Sequence, residues 1–382
     1  DGVKRVSVDF TDSEGNSLAS IPDVFPNEQD YSYSEVFLLN RPDLTGGAHY
    51  LQLEAYDEFN RTSVFREINL NPIPWENKAT ALVTGSDLNG MVSISEEDGL
   101  DFSGVLNYSG DIQNLQANHL DGLILVVTGQ SGEIIALQHP EYNTAWTYEI
   151  PNNNDWRSIE SASLLASTGE VAVANTDHQV QLINKFGNSV LAFDTGLDLY
   201  VPDHCLLSES RVYLVERRPD GTDQQFSVFF KISGALEFRV YFPGEVVDLF
   251  TEKSDAVSED LVTVFLNDDG IPRLKTLDYF GQGFDEPVSL PAGELTSACK
   301  IGYERYLFQI NGTIYHYDFS GPLEIYYEGP DFKELVYDPV NQQVLALTED
   351  EIHYLAMQNG ILQLANTQPA ANVISIVRIR NR

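Results

Sequence analysis

GEIIAL at residues 132–137 is the stretch that decides the fold, because versions of it return along most of the chain. Related segments are NGMVSI at 89–94, HQVQLI at 178–183, GTIYHY at 312–317 and DEIHYL at 350–355. Each segment follows a short apolar stretch after one tight polar turn, and a looser turn leads to one more strand-like stretch. Short apolar or alternating stretches bounded by turn residues are typical of β-strands. The recurring unit therefore predicts trios of antiparallel strands.

A further strand-like segment precedes most of these trios. These segments start at Ile112, Ile159, Tyr200, Val247, Leu295, Lys333 and Val373. The resulting period is about 43 residues, and four strands per unit at such a period are typical of β-propeller blades.

The trios and the additional segments are out of phase at the two ends of the repeat region. The first trio, at 80–106, has no additional segment before it, and the last segment, at 373–379, has no trio after it. We therefore predict that the C-terminal strand completes the first blade, which removes the free edges of an open sheet. The predicted architecture is an all-β chain in which residues 80–382 form a seven-bladed β-propeller closed by the C-terminal strand.

Residues 1–72 follow a different pattern. VKRVSVDF at 3–10 alternates with period two, and GAHYLQLEAYD at 47–57 is followed by a polar turn and by TSVFREINL at 62–70. Two such runs around a turn predict a β-hairpin. This hairpin resembles the last two strands of Ig-like and PKD-like modules of secreted proteins, so an N-terminal Ig-like β-sandwich is expected. The proline-containing segment 73–79 is predicted to be a linker.

The segment DGLILVVTGQSGEIIAL at 121–137 carries the clearest family likeness. Together with Trp146 it resembles the PQQ-type repeat of quinoprotein-like propellers, which combines a small-residue turn, an Ala-Leu step and a late Trp. That family includes cofactor-using dehydrogenases and cofactor-free scaffolds. Other blades have Phe193, Tyr327 and Ala365 in place of the Trp, and these departures favour the cofactor-free branch. The whole chain also resembles bacterial surface lipoproteins that combine an Ig-like module with a propeller.

The 382-residue chain has 58 acidic and 22 Lys or Arg residues, a formal net charge of −36. Such a charge repels phosphate backbones and anionic membrane surfaces, so nucleic acid is excluded as a partner class. Two interpretations of the charge stay open, namely solubility and the capture of cations or of a basic partner. No segment reaches the roughly 20 apolar residues of a transmembrane helix, and a lipid anchor on an unprocessed precursor stays open.

Motifs for catalysis or metal binding are absent from the sequence. Its seven histidines form no H-x-x-x-H or H-x-H pair, and neither a G-x-S-x-G elbow nor a phosphate-binding loop is present. Acidic clusters at 12–16 and 267–270 have the composition of calcium loops but not their continuation, so they are interpreted as turns. No cofactor and no metal is predicted, and calcium is left open. Cys205 and Cys299 fall on non-neighbouring blades and are predicted to be buried and unpaired.

Ligands of propellers normally bind on the face formed by the loops between the second and third strands and between blades. The predicted blades place loops 151–157, 175–178 and 216–220 on that face. Basic side chains are scarce in this chain, and an aromatic residue beside an arginine suits stacking on a sugar or a cation–π contact. The candidate ligand-binding residues are Trp156, Arg157, Asp177, His178, Arg217 and Arg218.

The function predicted from the sequence is a non-catalytic binding or scaffold protein that engages a glycan or a protein over one propeller face. The expected location is extracytoplasmic, on a bacterial cell surface or in the periplasm, and a monomer is expected. The alternative is a polysaccharide-acting hydrolase or lyase with its site over the central channel. Abundant carboxylates keep this alternative open, because some pair will lie at glycosidase-like spacing by chance.

Overall fold

The chain is all-β in the part that the computed structural model describes, and no helix occurs there. The described residues are 2–11, 17–26, 32, 47–58, 60–70, 74–86, 88–96, 101–151, 158–196, 199–221, 223–242, 244–253, 260–319 and 321–381. The chain divides into two compact units, Asp1–Trp75 with Arg382, and Glu76–Asn381. The first strand of the second unit begins at Glu76, inside the segment 73–79 that was predicted as a linker.

The N-terminal unit contains one described four-stranded antiparallel sheet. Its strands are β1 (Arg5–Thr11), β2 (Ser17–Val24), β3 (Gly47–Tyr56) and β4 (Arg61–Leu70). Their order in the sheet is β2-β1-β3-β4. The predicted first strand and the predicted hairpin are therefore confirmed as β1 and as β3–β4. The acidic cluster at 12–16 lies outside the described residues.

Alternation along β1 explains why this sheet forms. Val6, Val8 and Phe10 are buried, as expected for a strand with one apolar face. The Phe10 ring stacks on His49 of β3, with ring centroids 5.3 Å apart. The Ig-like identity of this unit stays a prediction.

The described residues of the second unit form seven four-stranded antiparallel sheets. Their strands are β5 (Glu76–Ser86), β6 (Asn89–Glu96), β7 (Ser103–Tyr108), β8 (Ile112–Asn118), β9 (Leu123–Thr128), β10 (Glu133–Gln138), β11 (Asn143–Glu149), β12 (Ile159–Leu165), β13 (Glu170–Asn175), β14 (Gln179–Ile183), β15 (Ser189–Asp194), β16 (Val201–Leu207), β17 (Arg211–Arg217), β18 (Gln224–Phe230), β19 (Leu236–Phe242), β20 (Glu245–Lys253), β21 (Asp260–Asp268), β22 (Ile271–Asp278), β23 (Gly283–Ser289), β24 (Leu295–Gly302), β25 (Arg305–Ile310), β26 (Thr313–Asp318), β27 (Glu324–Glu328), β28 (Glu334–Asp338), β29 (Gln343–Leu347), β30 (Glu351–Gln358), β31 (Ile361–Pro369) and β32 (Val373–Asn381).

Six of the seven sheets are built from four consecutive strands, β8–β11 through β28–β31. The seventh has the order β32-β5-β6-β7, so the last strand of the chain pairs with the first strand of the unit. The pairing is antiparallel and brings Val377 opposite Ala81. The predicted completion of the first trio by the C-terminal strand is confirmed.

The leading strands of the seven sheets form a closed ring. We call β32, β8, β12, β16, β20, β24 and β28 the first strands of their sheets. Each first strand contacts the next in this order, and β28 contacts β32 again. Cyclic arrangement of four-stranded sheets is the organisation of a β-propeller, and the prediction of propeller-like four-stranded sheets is confirmed.

Apolar layers between successive sheets hold this ring together. One layer packs Val83 and Ile94 of one sheet against Leu115 and Ile124 of the next, and six further layers join the other neighbouring sheets. A strand between two such layers is covered on both faces, so it has a continuous apolar sequence. All six residues of β9 are buried for this reason.

The two cysteines belong to these layers. Cys205 on β16 and Cys299 on β24 are both buried and free. Burial raises the pKa of the Cys205 thiol to about 12. The prediction that the two cysteines are buried and unpaired is confirmed, and they are poor nucleophiles because the thiolate is the reactive form.

Candidate functional site

Two of the predicted ligand-binding residues, Trp156 and Arg157, lie outside the described residues. Asp177 and His178 lie in the turn between β13 and β14. The Asn175 carboxamide oxygen accepts hydrogen bonds from the backbone N–H of Asp177 at 3.0 Å and of Gln179 at 3.1 Å. His178 has a φ of 60°, which suits this tight turn between strands. The pair Asp177 and His178 is thus explained by turn geometry.

Arg217 and Arg218 lie side by side at the end of β17, and both have carboxylate partners. Arg217 contacts Asp203 at 3.2 Å. Arg218 contacts Asp223 at 3.4 Å and lies 5.4 Å from the centre of the Tyr200 ring. Burial opposes ionisation of Asp203, but the hydrogen bond with His204 and the charge of Arg217 lower its pKa.

A polar residue recurs at one level of the first-strand ring. It is the third residue of a four-residue pattern whose order is apolar, variable, polar, and then apolar or small. Examples are IQNL at 112–115, IESA at 159–162, VVDL at 246–249, LTSA at 295–298 and VISI at 373–376. We call these seven residues the polar ring: Asn114, Ser161, His204, Asp248, Ser297, Glu334 and Ser375. A β-bulge lies directly before this residue in six of the seven strands, and such bulges re-aim a side chain.

Members of the polar ring bind the backbone of the next first strand. Ser161 accepts a hydrogen bond from the N–H of Cys205 at 2.9 Å. Asp248 accepts one from the N–H of Ala298 at 2.8 Å, on the following strand. Because a buried N–H without an acceptor costs free energy, these contacts give the polar ring a structural role.

The same contact continues across the closure of the ring. Ser375 of β32 accepts a hydrogen bond from the N–H of Leu115 at 3.4 Å. Its hydroxyl also donates to Glu334 at 3.5 Å. The C-terminal strand is therefore joined to the first strands on both of its sides.

Two carboxyl groups of the polar ring have shifted pKa values. Burial raises the pKa of Asp248 to about 7. Burial, together with the charge of Asp248, raises the pKa of Glu334 to about 8. A pair of carboxyls with raised pKa values has the chemistry of a general acid. Both carboxyls, however, accept hydrogen bonds from the neighbouring first strand, which the structural role already explains.

Two adjacent cavities open at the end of the sheets where the second strand turns into the third and where one sheet leads to the next. We call this end the cavity face. Cavity A, of about 760 Å³, is lined by residues that include Glu245, Glu294, Phe332, Lys333, Glu349 and Asp350. Cavity B, of about 810 Å³, is lined by residues that include Arg217, Gln224, Tyr241, Glu245, Asp269 and Glu294.

The two cavities share Glu245, Asn267 and Glu294, so they form one continuous surface. Arg217 is the only predicted candidate among the described residues that line them. Asp177, His178 and Arg218 do not line either cavity, and their role in ligand binding stays a prediction.

An acidic residue occurs at the same place before four of the first strands. Asp111, Glu245 and Glu294 each follow a glycine and precede the apolar residue that leads into the polar ring, and Asp331 follows a proline. The Asp111 carboxylate accepts hydrogen bonds from the N–H of Gln130 at 2.9 and 3.2 Å. The other three line the cavities.

Close backbone approach explains the glycines of this motif. A Cβ atom on Gly244 would lie 2.5 Å from the carbonyl oxygen of Asn267, and one on Gly293 would lie 2.2 Å from the Asn311 side chain. Both glycines line cavity B. Larger residues at these positions would displace the acidic residue that follows.

Negative charge dominates the cavity lining. Eight carboxylate residues and two basic residues line cavities A and B together. Five of the eight, Asp269, Glu294, Asp331, Glu349 and Asp350, form no ion pair with any described residue. The cavity face is thus a concave surface with uncompensated charge.

The acidic turn at 267–270 belongs to this surface. It joins β21 to β22, with a φ of 50° at Asp269 and 75° at Gly270, as in the type I′ turns of hairpins. The interpretation of this cluster as a turn is confirmed. Within the described part of the chain, no three His, Cys, Asp or Glu side chains are arranged to hold a metal ion, and no helix could cross a membrane.

Apart from Arg217, none of the residues that line the cavities is among the candidates predicted from the sequence. The Gly-acid step before the first strands was the available signal, because it recurs at 110–111, 244–245 and 293–294. It is short and lies in connecting segments, where acidic residues are common on a chain with 58 of them.

Comparison with known proteins shows the fold. No family model matches the sequence, and no curated protein matches it either. The solved structure of U3-55K has a TM-score of 0.55 and 11% identity, covering 69% of this chain and 84% of that chain. The RRP9 WD40 repeats give 0.55 and 10%, covering 77% and 88%. The β-propeller domain of Myceliophteria thermophila Cps50 (Swd1) gives 0.53 and 12%, covering 69% and 88%.

This chain is therefore similar to WD40 and other β-propeller domains and contains a β-propeller. At sequence identities of 10–12%, these similarities show a shared fold and do not show a shared function. The likeness to PQQ-type repeats stays a prediction.

Proposed function

We propose that this protein is a seven-bladed β-propeller scaffold that binds a protein partner over its cavity face. Seven four-stranded sheets with cyclically contacting first strands support the blade count. We also propose that the N-terminal unit is an Ig-like module and that the protein works outside the cytoplasm, in keeping with the resemblance to surface lipoproteins.

The observation that carries the binding proposal is the continuous pair of cavities with unpaired charge. Sites for small molecules are mostly apolar, with a few polar groups that fix the ligand. Cavities A and B instead present eight carboxylates, and a wide polar surface of this kind suits contact with another macromolecule.

A protein fits this surface better than a glycan. Sugars are held by stacking on exposed aromatic faces. Phe332 lines cavity A but is buried, so its ring offers no platform. Tyr241 is the one exposed large aromatic side chain among the described lining residues of the two cavities.

Site-directed blocking of the cavity face tests the proposal. The variants Asp350→Cys and Glu141→Cys place one reactive thiol on the cavity face and one in the turn between β10 and β11, at the opposite end of the sheets. Cys205 and Cys299 are buried, so a polyethylene glycol maleimide should react at the introduced thiol alone.

Each modified protein would be used with a random-peptide display library and, in parallel, with a glycan array and mass spectrometry of any released products. We expect peptide ligands whose binding is lost on modification at position 350 and kept on modification at position 141. Glycan binding without peptide binding, or released oligosaccharides, would contradict the proposal and favour the polysaccharide-acting alternative.

A further inference from the structure

We infer that the partner segment bound by the cavity face is basic, a stretch of a protein rich in Lys and Arg. This inference rests on the proposed function and names the chemistry of the partner. Three features of the cavities support it, namely the uncompensated carboxylates, one buried hydrogen-bond acceptor and one exposed aromatic ring.

Uncompensated carboxylates are the first observation. Glu294 lines both cavities and forms no ion pair with a described residue, and the same holds for Asp269 in cavity B and Asp350 in cavity A. Clustered like charges repel one another unless a cation is close. A partner with several positive charges removes that repulsion over the whole surface.

The two basic residues of the lining do not supply this compensation. Arg217 contacts Asp203 at 3.2 Å and lies 4.0 Å from Glu245. The Lys333 ammonium donates to the carbonyl oxygen of Val373. Neither reaches Glu294 or Asp350 within ion-pair distance.

Gln224 is the second, independent observation. It lines cavity B, is 3% exposed, and its carboxamide oxygen accepts no hydrogen bond from a described residue. A buried acceptor without a donor is costly in a finished structure. The Gln224 oxygen has almost no accessible surface of its own. An Arg guanidinium carries five N–H donors and a Lys ammonium carries three, so a basic side chain in cavity B can supply the missing donor once the Gln224 carboxamide turns toward the cavity.

Tyr241 is the third observation. Its side chain is 56% exposed and lines the same cavity as Gln224 and Asp269. Cations are attracted to the face of an aromatic ring. Acceptor, carboxylate and ring together form the environment that an Arg or Lys side chain prefers.

Fluorescence anisotropy with a defined probe tests the inference. The probe is a fluorescein-labelled octapeptide of alternating Arg and Gly, and the control peptide has Glu in place of Arg. The test variant is Glu294→Lys/Asp350→Lys. The control variant, Glu141→Lys/Asp285→Lys, makes the same change in net charge at two exposed residues away from the cavities.

We expect the Arg-Gly peptide to bind the wild-type protein and the control variant with similar affinity. The test variant should bind on the order of tenfold more weakly, and added salt should weaken binding to the wild type. Equal losses in both variants would show attraction by net charge alone and would overturn the inference. Failure of the Arg-Gly peptide to bind at low salt would overturn it as well.

Substitutions at two residues that line cavity B, Gln224 and Tyr241, separate recognition from folding. Gln224→Leu should weaken peptide binding without lowering the melting temperature, because it removes an unsatisfied acceptor. Tyr241→Ala should cost about two- to five-fold in affinity, whereas Tyr241→Phe keeps the ring and should bind like the wild type. Calcium that competes with the peptide at constant ionic strength would indicate a cation site in place of a peptide site.

Failure of the basic-partner inference and failure of the proposed function give different experimental results. If library peptides lose binding on modification at position 350 but are not basic, the binding face stands and the basic partner is wrong. If no peptide of any composition depends on position 350, the proposed function itself is wrong.

Discussion

The polar ring recurs in all seven first strands and the acidic position of the cavity face before four of them, yet their polar groups have different partners. Ser161 and Asp248 of the polar ring accept hydrogen bonds from the next first strand. On the cavity face, Asp111 caps the backbone of its own sheet, whereas Glu294 at the same repeat position forms no ion pair with a described residue and lines both cavities.

This difference separates residues that stabilise the repeated sheets from residues that do not. A polar group that is satisfied by its neighbouring sheet contributes to folding, and removal of it leaves a buried group without a partner. A charged group that faces a cavity without a partner contributes little to folding. We therefore expect substitutions in the ring to change stability and substitutions on the cavity face to change binding.

Removal of the closing strand should have the largest effect. Deletion of residues 370–382 removes β32, which pairs with β5 and contacts the first strands on either side of it. We expect loss of cooperative folding, because the sheet loses the strand that covers β5 and the ring of first strands is no longer closed. Circular dichroism and thermal melting would measure it, and a truncated protein that melts like the parent would contradict the closure.

The buried ion pair of the closing strand should come next. Arg378 of β32 and Asp338 of β28 are both buried, with Nε and Oδ2 3.5 Å apart, and Asn77 donates to Asp338 at 2.6 Å. Arg378→Ala leaves the Asp338 charge buried and should cost about 3–5 kcal/mol in the free energy of unfolding. Urea denaturation would measure the loss, and the double variant Arg378→Met/Asp338→Leu should recover part of it.

Loss of one ring acceptor should have a smaller effect. Ser161→Ala leaves the N–H of Cys205 without its acceptor and should cost about 1–3 kcal/mol in urea denaturation. Ser189→Ala, at an exposed position on the outer strand β15, is the matched control and should be neutral. Equal effects of the two substitutions would remove the distinction between ring and periphery.

The pH dependence of stability should show the smallest effect. Because the pKa of Glu334 is about 8 in the folded protein, well above that of an exposed Glu, the folded state holds a proton that the unfolded state releases. The stability of the wild type should therefore decrease between about pH 5 and pH 8 relative to Glu334→Gln, by on the order of 1–2 kcal/mol. Parallel urea titrations across this range would measure it, and curves that stay parallel would show that the carboxyl is ionised throughout.

Most of the fold could be predicted from the sequence because each buried strand has to satisfy the same packing on two faces. The repeated apolar runs such as β9 and β13 are the direct result of that packing. The closure by β32 followed from counting, since one trio and one single strand were left over at the ends. The unpaired trio and the unpaired strand were sufficient to predict their pairing, because an open sheet edge is unfavourable.

The candidate site could be predicted only in part, because loop residues do not have to satisfy the packing that the buried strands of every sheet share. The scarcity of basic side chains indicated Arg217 and Arg218 as candidates, but both have carboxylate partners in the structure. Asp177 and His178 form a turn around Asn175. Five of the eight cavity carboxylates are distinguished by the absence of an ion-pair partner among the described residues. That absence depends on three-dimensional neighbours that no local pattern encodes.

Hydrogen–deuterium exchange of the wild-type protein with and without the Arg-Gly octapeptide locates the binding surface directly. We expect slower exchange at backbone amides of the cavity face, in the turns at 267–270 and 348–350 and in the connection at 293–296. The turn at 139–142, at the opposite end of the sheets, should exchange at an unchanged rate. Protection at 139–142, or protection spread evenly over the propeller, would contradict the claim that binding belongs to the cavity face.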